Sequence, residues 1–169
     1  MKTMPGMVLL SGLLGLTLLA GCQREKNDYI SVQGKIFIFN IRLSHAYYAL
    51  NLNRLAATPD NAIVRVAFEN PAGGPPLVSE QKVFAQMTRI DLQSPPLDCI
   101  VAGRPYAIHI TLSDAGGTVL QTLDTTLAST LDQTVMPAQS LVVGAAYDKN
   151  PDAFGKDGQI KFRKACKAG

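Results

Sequence analysis

From Val64 to Glu69 the chain alternates. Val64, Val66 and Phe68 are apolar, while Arg65, Ala67 and Glu69 between them are charged or small. Successive strand residues point to opposite faces of a sheet, so this spacing predicts a half-buried strand. Asn70 to Pro76 end it, since glycine and proline supply turn dihedrals and proline withholds a ladder donor. The clearest hairpin lies further on. Tyr106, Ile108, Ile110 and Leu112 share one face, Asp114 to Gly117 make the turn, and Val119, Gln121 and Leu123 return. Upstream, Ile30 to Leu43 carries Ile36 and Ile38 on one face with Phe37 and Phe39 on the other, which predicts a strand covered on both sides. Residues 77–86, 88–93, 140–147 and 158–163 read as four further short strands. Only 44–57 is ambiguous: it is either a helix with Ala46, Leu50 and Leu55 on one face, or strand and loop. Seven or eight short strands with turns between them predict an all-β fold, a two-sheet antiparallel β-sandwich of immunoglobulin or transthyretin type, over residues 30–169.

What precedes the sandwich has a different character. Lys2 is followed by an apolar run, Met7 to Leu19, shorter than the ~20 residues a membrane-crossing helix needs. The run stops at Leu19-Ala20-Gly21-Cys22, which resembles the lipobox of bacterial lipoproteins. That resemblance implies a signal peptide over residues 1–21, removed after the Cys22 thiol has received a diacylglycerol, and a lipidated tether over 22–29. Several acyl chains on one residue give stable anchoring where one chain does not. Gln23, in place of the aspartate that retains enterobacterial lipoproteins in the inner membrane, implies an outer-membrane anchor with the sandwich facing the periplasm.

Charge and chemistry narrow the reading further. The net charge is +3 with Lys2 of the leader included, too balanced for a nucleic-acid footprint. The two histidines, His45 and His109, lie in no zinc-binding spacing, and His109 takes an outward position in its strand. No Gly-x-Ser-x-Gly or similar nucleophile signature occurs, so neither an enzyme nor a bound metal or cofactor is expected. Asp148, Asn150 and Asp152 have the spacing of a calcium loop, but Ala153 replaces its glycine and no glutamate follows, which favours an Asx/Pro turn. Lys156, Lys161, Arg163, Lys164 and Lys167 make a basic C-terminal run, read as charges guarding an edge strand rather than as a headgroup contact. Tyr47 and Tyr48 combine apolar area with a polar tip and are the first candidates for partner binding, although either also fits a core. With Cys22 alkylated, Cys99 and Cys166 are the remaining thiols. An exported chain meets an oxidising compartment, so a Cys99–Cys166 disulfide is predicted.

Four segments, VQGKIFIF at 32–39, PDNAIVRVAFEN at 59–70, PLVSEQ at 76–81 and RPYAIHITLSDAGGTVLQT at 104–122, together resemble the YscW/YbaY-type lipoproteins. Those are small β-sandwich lipoproteins, some of them pilotins that bring a secretin subunit to the outer membrane for type III secretion. The chain differs from them around residues 40–58 and after Leu141. The lipobox, the size and LVVGAAY at 141–147 are similar, more distantly, to the TssJ-type anchors of type VI secretion. Both resemblances imply an interaction module, held to the membrane by its lipid and bound to an envelope or secretion-apparatus protein. The alternative from another class is a periplasmic ligand-binding or inhibitor lipoprotein, which requires a concave pocket with convergent polar groups.

Overall fold

Seven strands build the core: β1 (Ile30–Asn40), β2 (His45–Arg54), β3 (Ile63–Phe68), β4 (Leu77–Lys82), β5 (Arg89–Gln93), β6 (Pro105–Ser113) and β7 (Val119–Ala128). The computed structural model describes residues 28–166, so the expected signal peptide, Cys22 and the expected tether up to residue 27 lie outside the described residues. One sheet has the order β1-β2-β5 and the other β4-β3-β6-β7, with every pairing antiparallel. The fold is an all-β sandwich, and the split of three strands against four is an immunoglobulin-like Greek-key arrangement in which β4 joins β3. A short hairpin, β8 (Val142–Val143) with β9 (Asp148–Lys149), and two 3₁₀ turns follow.

The ambiguous segment is strand β2. Ala46, Tyr48, Leu50 and Leu52 are buried at every second position, and β1 and β5 pair on either side. A helix would bring Leu55 onto the buried face. The two-residue period instead buries one unbroken apolar row and leaves Asn51 and Asn53 outside. The core is aromatic at its centre. The Tyr48 ring stacks on Phe68 at 5.3 Å and 4°, with Phe37 at 4.7 Å and Tyr106 at 6.3 Å. Both buried hydroxyls are satisfied: Tyr48 Oη donates to the Glu69 carbonyl at 3.0 Å, and Tyr106 Oη accepts from Val101 N–H at 2.8 Å. The second bond returns from the start of β6 to the preceding loop, as in the tyrosine corner of immunoglobulin-like folds.

Strand β1 corrects the expectation of cover on both faces. Its register shifts between Val32 and Gly34, so Ile30 and Val32 face the core before the bulge while Phe37 and Phe39 do so after it. Ile36 is then left on the outer face, 59% exposed. No further layer covers that side among the described residues. Packing also extends to the residue ahead of β1. Tyr29 packs partly against the core and gives its N–H to Gln121 Oε1 at 2.8 Å, as Ile30 does at 2.9 Å.

Of the two strands expected near the C-terminus, 140–147 is a strand only at Val142–Val143, and 158–163 is part of a strap rather than a strand. Residues 158–163 make only isolated bridges, Phe154 with Ile160 and Pro137 with Phe162, because their backbone partners are loop groups. Arg163 N–H, for example, donates to the Met136 carbonyl at 2.8 Å. Arg163 is no edge guard either. Its guanidinium donates to the carbonyls of Ser44 at 2.8 Å and Pro137 at 3.3 Å and pairs with Asp98, so it ties the strap to the β1–β2 turn. Ser44 is buried there with φ at 53°, a left-handed backbone that the clasp helps to hold. Arg163→Ala is expected to destabilise by about 1–3 kcal/mol, since charged donors are lost from half-buried carbonyls. Arg163→Lys should recover little, because a point charge does not reproduce the fork; urea unfolding of the three proteins checks both. Between the two halves of the strap, Asn150 accepts from Asp152 N–H at 3.1 Å and donates to the Ser140 carbonyl at 2.7 Å. Its side chain therefore caps the Pro151–Ala153 turn rather than facing an open loop.

Candidate functional site

Strand alternation separates the two candidate tyrosines. Tyr48 points inward and is 0% exposed, so it belongs to the core and not to a binding surface. Tyr47 lies opposite Ile38 on the outer face of the three-stranded sheet and is half-buried. The same face carries a shallow groove of about 610 Å³. Register assembles it from three strands: Ile36 lies opposite Ala49, Ala49 opposite Gln93, and Asn51 opposite Asp91. Gly34 and Ala49 leave the floor low, and an added Cβ at Gly34 would meet nothing within 4 Å. The Asn51 amide donates to Asp91, which also faces Arg89 at 3.6 Å. Asn51 Oδ1 is buried and has no hydrogen-bond partner. A buried acceptor without a donor costs free energy, so a ligand N–H or O–H placed there would be favoured.

A second open place is the seam between the sheets. Here Lys35, Ile36, Phe37 and Phe39 of β1 face Leu127 to Leu131 across a groove of about 320 Å³. β1 is the outer strand of its sheet and pairs with β2 alone.

His109 lies outward, as its position in the alternation predicts. Its Nδ1 meets Asp124 Oδ1 at 2.6 Å and its Nε2 meets Thr111 Oγ1 at 3.4 Å. Hydroxyl, imidazole and carboxylate thus follow one another, but the side chains of His109 and Asp124 are 51% and 80% exposed and neither groove includes them. On an open sheet face water screens the pair, and a contact of this kind is worth little.

Cys99 and Cys166 are bonded, with Cα atoms 5.2 Å apart. Cys99 has a left-handed backbone, φ 63°. Gln133 secures both ends: its Oε1 accepts from Cys99 N–H at 2.7 Å, and its amide donates to the Lys164 carbonyl. The sequence singled out the two cysteines, which are bonded, and Tyr47, which lines neither groove. It did not single out Asn51, Asp91 or the seam, whose residues are polar or apolar in ordinary proportion and become neighbours only through register.

No protein-family model matches the chain, and no curated protein matches it. Among the described residues no group of three or more His, Cys, Asp and Glu side chains has metal-holding geometry. Nor is any helix among them long and apolar enough to cross a membrane.

Proposed function

We propose that the protein is a lipid-anchored interaction module of the bacterial envelope, non-catalytic, bound through Cys22 to the outer membrane with its sandwich in the periplasm. Its partner is a component of an envelope assembly, in the manner of a type III pilotin or a type VI anchor. The Cys99–Cys166 disulfide is the observation that carries the reading: a bridged pair suits an exported protein, and the lipobox-like Leu19 to Cys22 supplies the route. A tether of a few residues, reaching at most ~3.5 Å per residue, would hold the sandwich close to the bilayer. The expected result is that Cys22→Ser takes up no labelled fatty acid, because no other thiol lies at the signal boundary. Incorporation into that variant refutes the anchor. Soluble residues 23–169 should still bind the envelope partner but leave it mislocalised. Restored localisation without the lipid refutes the carrier role.

The outer-face groove with its unpartnered Asn51 Oδ1 favours a second reading, a periplasmic ligand-binding lipoprotein. Asn51→Leu separates the two, since it should abolish ligand binding and leave a protein partner bound elsewhere undisturbed.

A further inference from the structure

The seam between β1 and β7 combines two properties that together specify an occupant. The first is a free hydrogen-bonding edge. β1 pairs with β2 on one side only, and alternate residues on its other side direct N–H and C=O groups outward. Such edges are normally guarded by charges, bulges or prolines. On β1 the guards are the bulge at Gly34 and Lys35, both before Ile36, so residues 36–40 are left without one. The second property is the groove beside that unguarded stretch, lined by Phe37, Phe39, Leu127 and Leu131, with Leu131 48% exposed. Among the described residues lining it, Lys35 is the one charged side chain, and its ammonium meets only Thr125 Oγ1.

The seam also has a direction. Gln121 holds Tyr29 and Ile30 at one end and Thr125 meets Lys35 further along, so β1 and β7 run the same way side by side. They are laced together over residues 29–35 and open beyond them. A strand entering the open part antiparallel to β1 continues the antiparallel order of β5-β2-β1 and arrives at Lys35 with its C-terminal end.

We propose that the open half of the β1 edge, residues 36–40, takes an extended segment of a protein partner as an added antiparallel strand. The segment is about five or six residues, apolar at alternate positions, with an aspartate or glutamate at its C-terminal end facing Lys35. Main-chain bonds to β1 supply affinity, the Phe37–Leu127 groove selects the apolar side chains, and Lys35 sets register and polarity. This deepens the proposed function, on which it rests, by naming the recognition mode.

The test uses the full-length lipidated protein in detergent and a labelled hexapeptide alternating valine and threonine and ending in glutamate. Saturable binding is expected, at least tenfold weaker for the same peptide ending in lysine. Binding should be lost when alternate peptide nitrogens are methylated on the pairing edge. Lys35→Glu should reverse the preference and Ile36→Asp should abolish binding. Both positions are exposed, so an unchanged circular dichroism spectrum verifies the fold of each variant. Equal binding of the two peptides, binding that survives Ile36→Asp, or no saturable binding would overturn the proposal. So would a concentration-dependent dimer in sedimentation that Ile36→Asp abolishes, which assigns the edge to a second copy of the chain. Envelope cross-linking separates this inference from the reading beneath it. If both variants retain every wild-type partner, strand addition falls and the interaction module stands. If the peptide results hold and no envelope protein is captured, the edge stands and the module reading falls.

Discussion

Replacing Cys99 and Cys166 with serine is expected to destabilise the protein by about 4 kcal/mol. The bridge closes a loop of sequence separation 67 that contains β6 and β7, two strands of the four-stranded sheet. Cross-linking a loop of that length removes chain entropy from the unfolded state, and the chain-entropy model gives about 4 kcal/mol for it. For a domain of this size that corresponds to a fall in melting temperature on the order of 10 °C. The folded state should respond as well. Without the bridge, Cys99 has less reason to keep its left-handed backbone, and the strap from Met136 to Cys166 is left to hydrogen bonds such as those of Arg163 to Ser44, Gln133 to Lys164, Ser44 to Pro137 and Leu141 to Arg42. Calorimetry of the double variant, with hydrogen exchange over residues 137–165, reads both effects. A loss below about 1 kcal/mol would show that the unfolded chain is already constrained without the bridge.

Tyr48→Ala should cost a similar amount, about 3–5 kcal/mol, the range for truncating a buried aromatic. The side chain is fully buried and lies between Phe37 and Phe68, so its removal leaves a cavity between sheets that cannot close independently. Tyr48→Phe keeps the ring but leaves the Glu69 carbonyl without its donor, at about 1 kcal/mol. Tyr47→Ala, on the outer face, should cost about 1 kcal/mol or less. Adjacent tyrosines that differ so widely in chemical denaturation would verify the inward and outward assignment.

Alkali offers an independent reading of the same residue. Burial, followed by the neighbouring Tyr106 and Glu69, holds the Tyr48 hydroxyl well above the ordinary phenol range, with Arg104 acting the other way. The folded state therefore requires the neutral phenol, while the unfolded chain ionises near pH 10. The stability from this group is complete below about pH 10 and declines as pH rises beyond it. Tyr48→Phe should flatten that alkaline loss relative to the wild type. An identical slope in the two proteins would mean that other groups govern it.

Local sequence patterns were enough for β3 and β6, because one face of each is buried and the other wet. A period of two is then visible in a single strand. They also located β7 and the hairpin before it, but the register shift at Leu112/Ser113 leaves Val119 57% exposed and packs Leu120 against the core in its place. Cys99 and Cys166 were legible for a different reason, since covalent pairing needs only two available thiols and a suitable compartment. Strand β2 was not decidable locally. Its apolar row fits a helical or a strand period until β1 and β5 supply partners on both sides.

The surfaces open to function depend on the tertiary structure still more. Ile36 is one of a run of apolar residues in β1, and nothing in the run says that it is exposed while Phe37 is buried. The bulge before Gly34 decides that, by exchanging the two faces of the strand. Arg163 likewise reads as one of several tail charges until the strap brings it to Ser44, far away in the chain. Alternation, turns and cysteine chemistry are properties of neighbours in sequence, so the chain alone determined a two-sheet sandwich with one predicted bridge. Register, bulges and the meeting of sheet edges arise between segments distant in sequence, and they decided which of those residues face solvent.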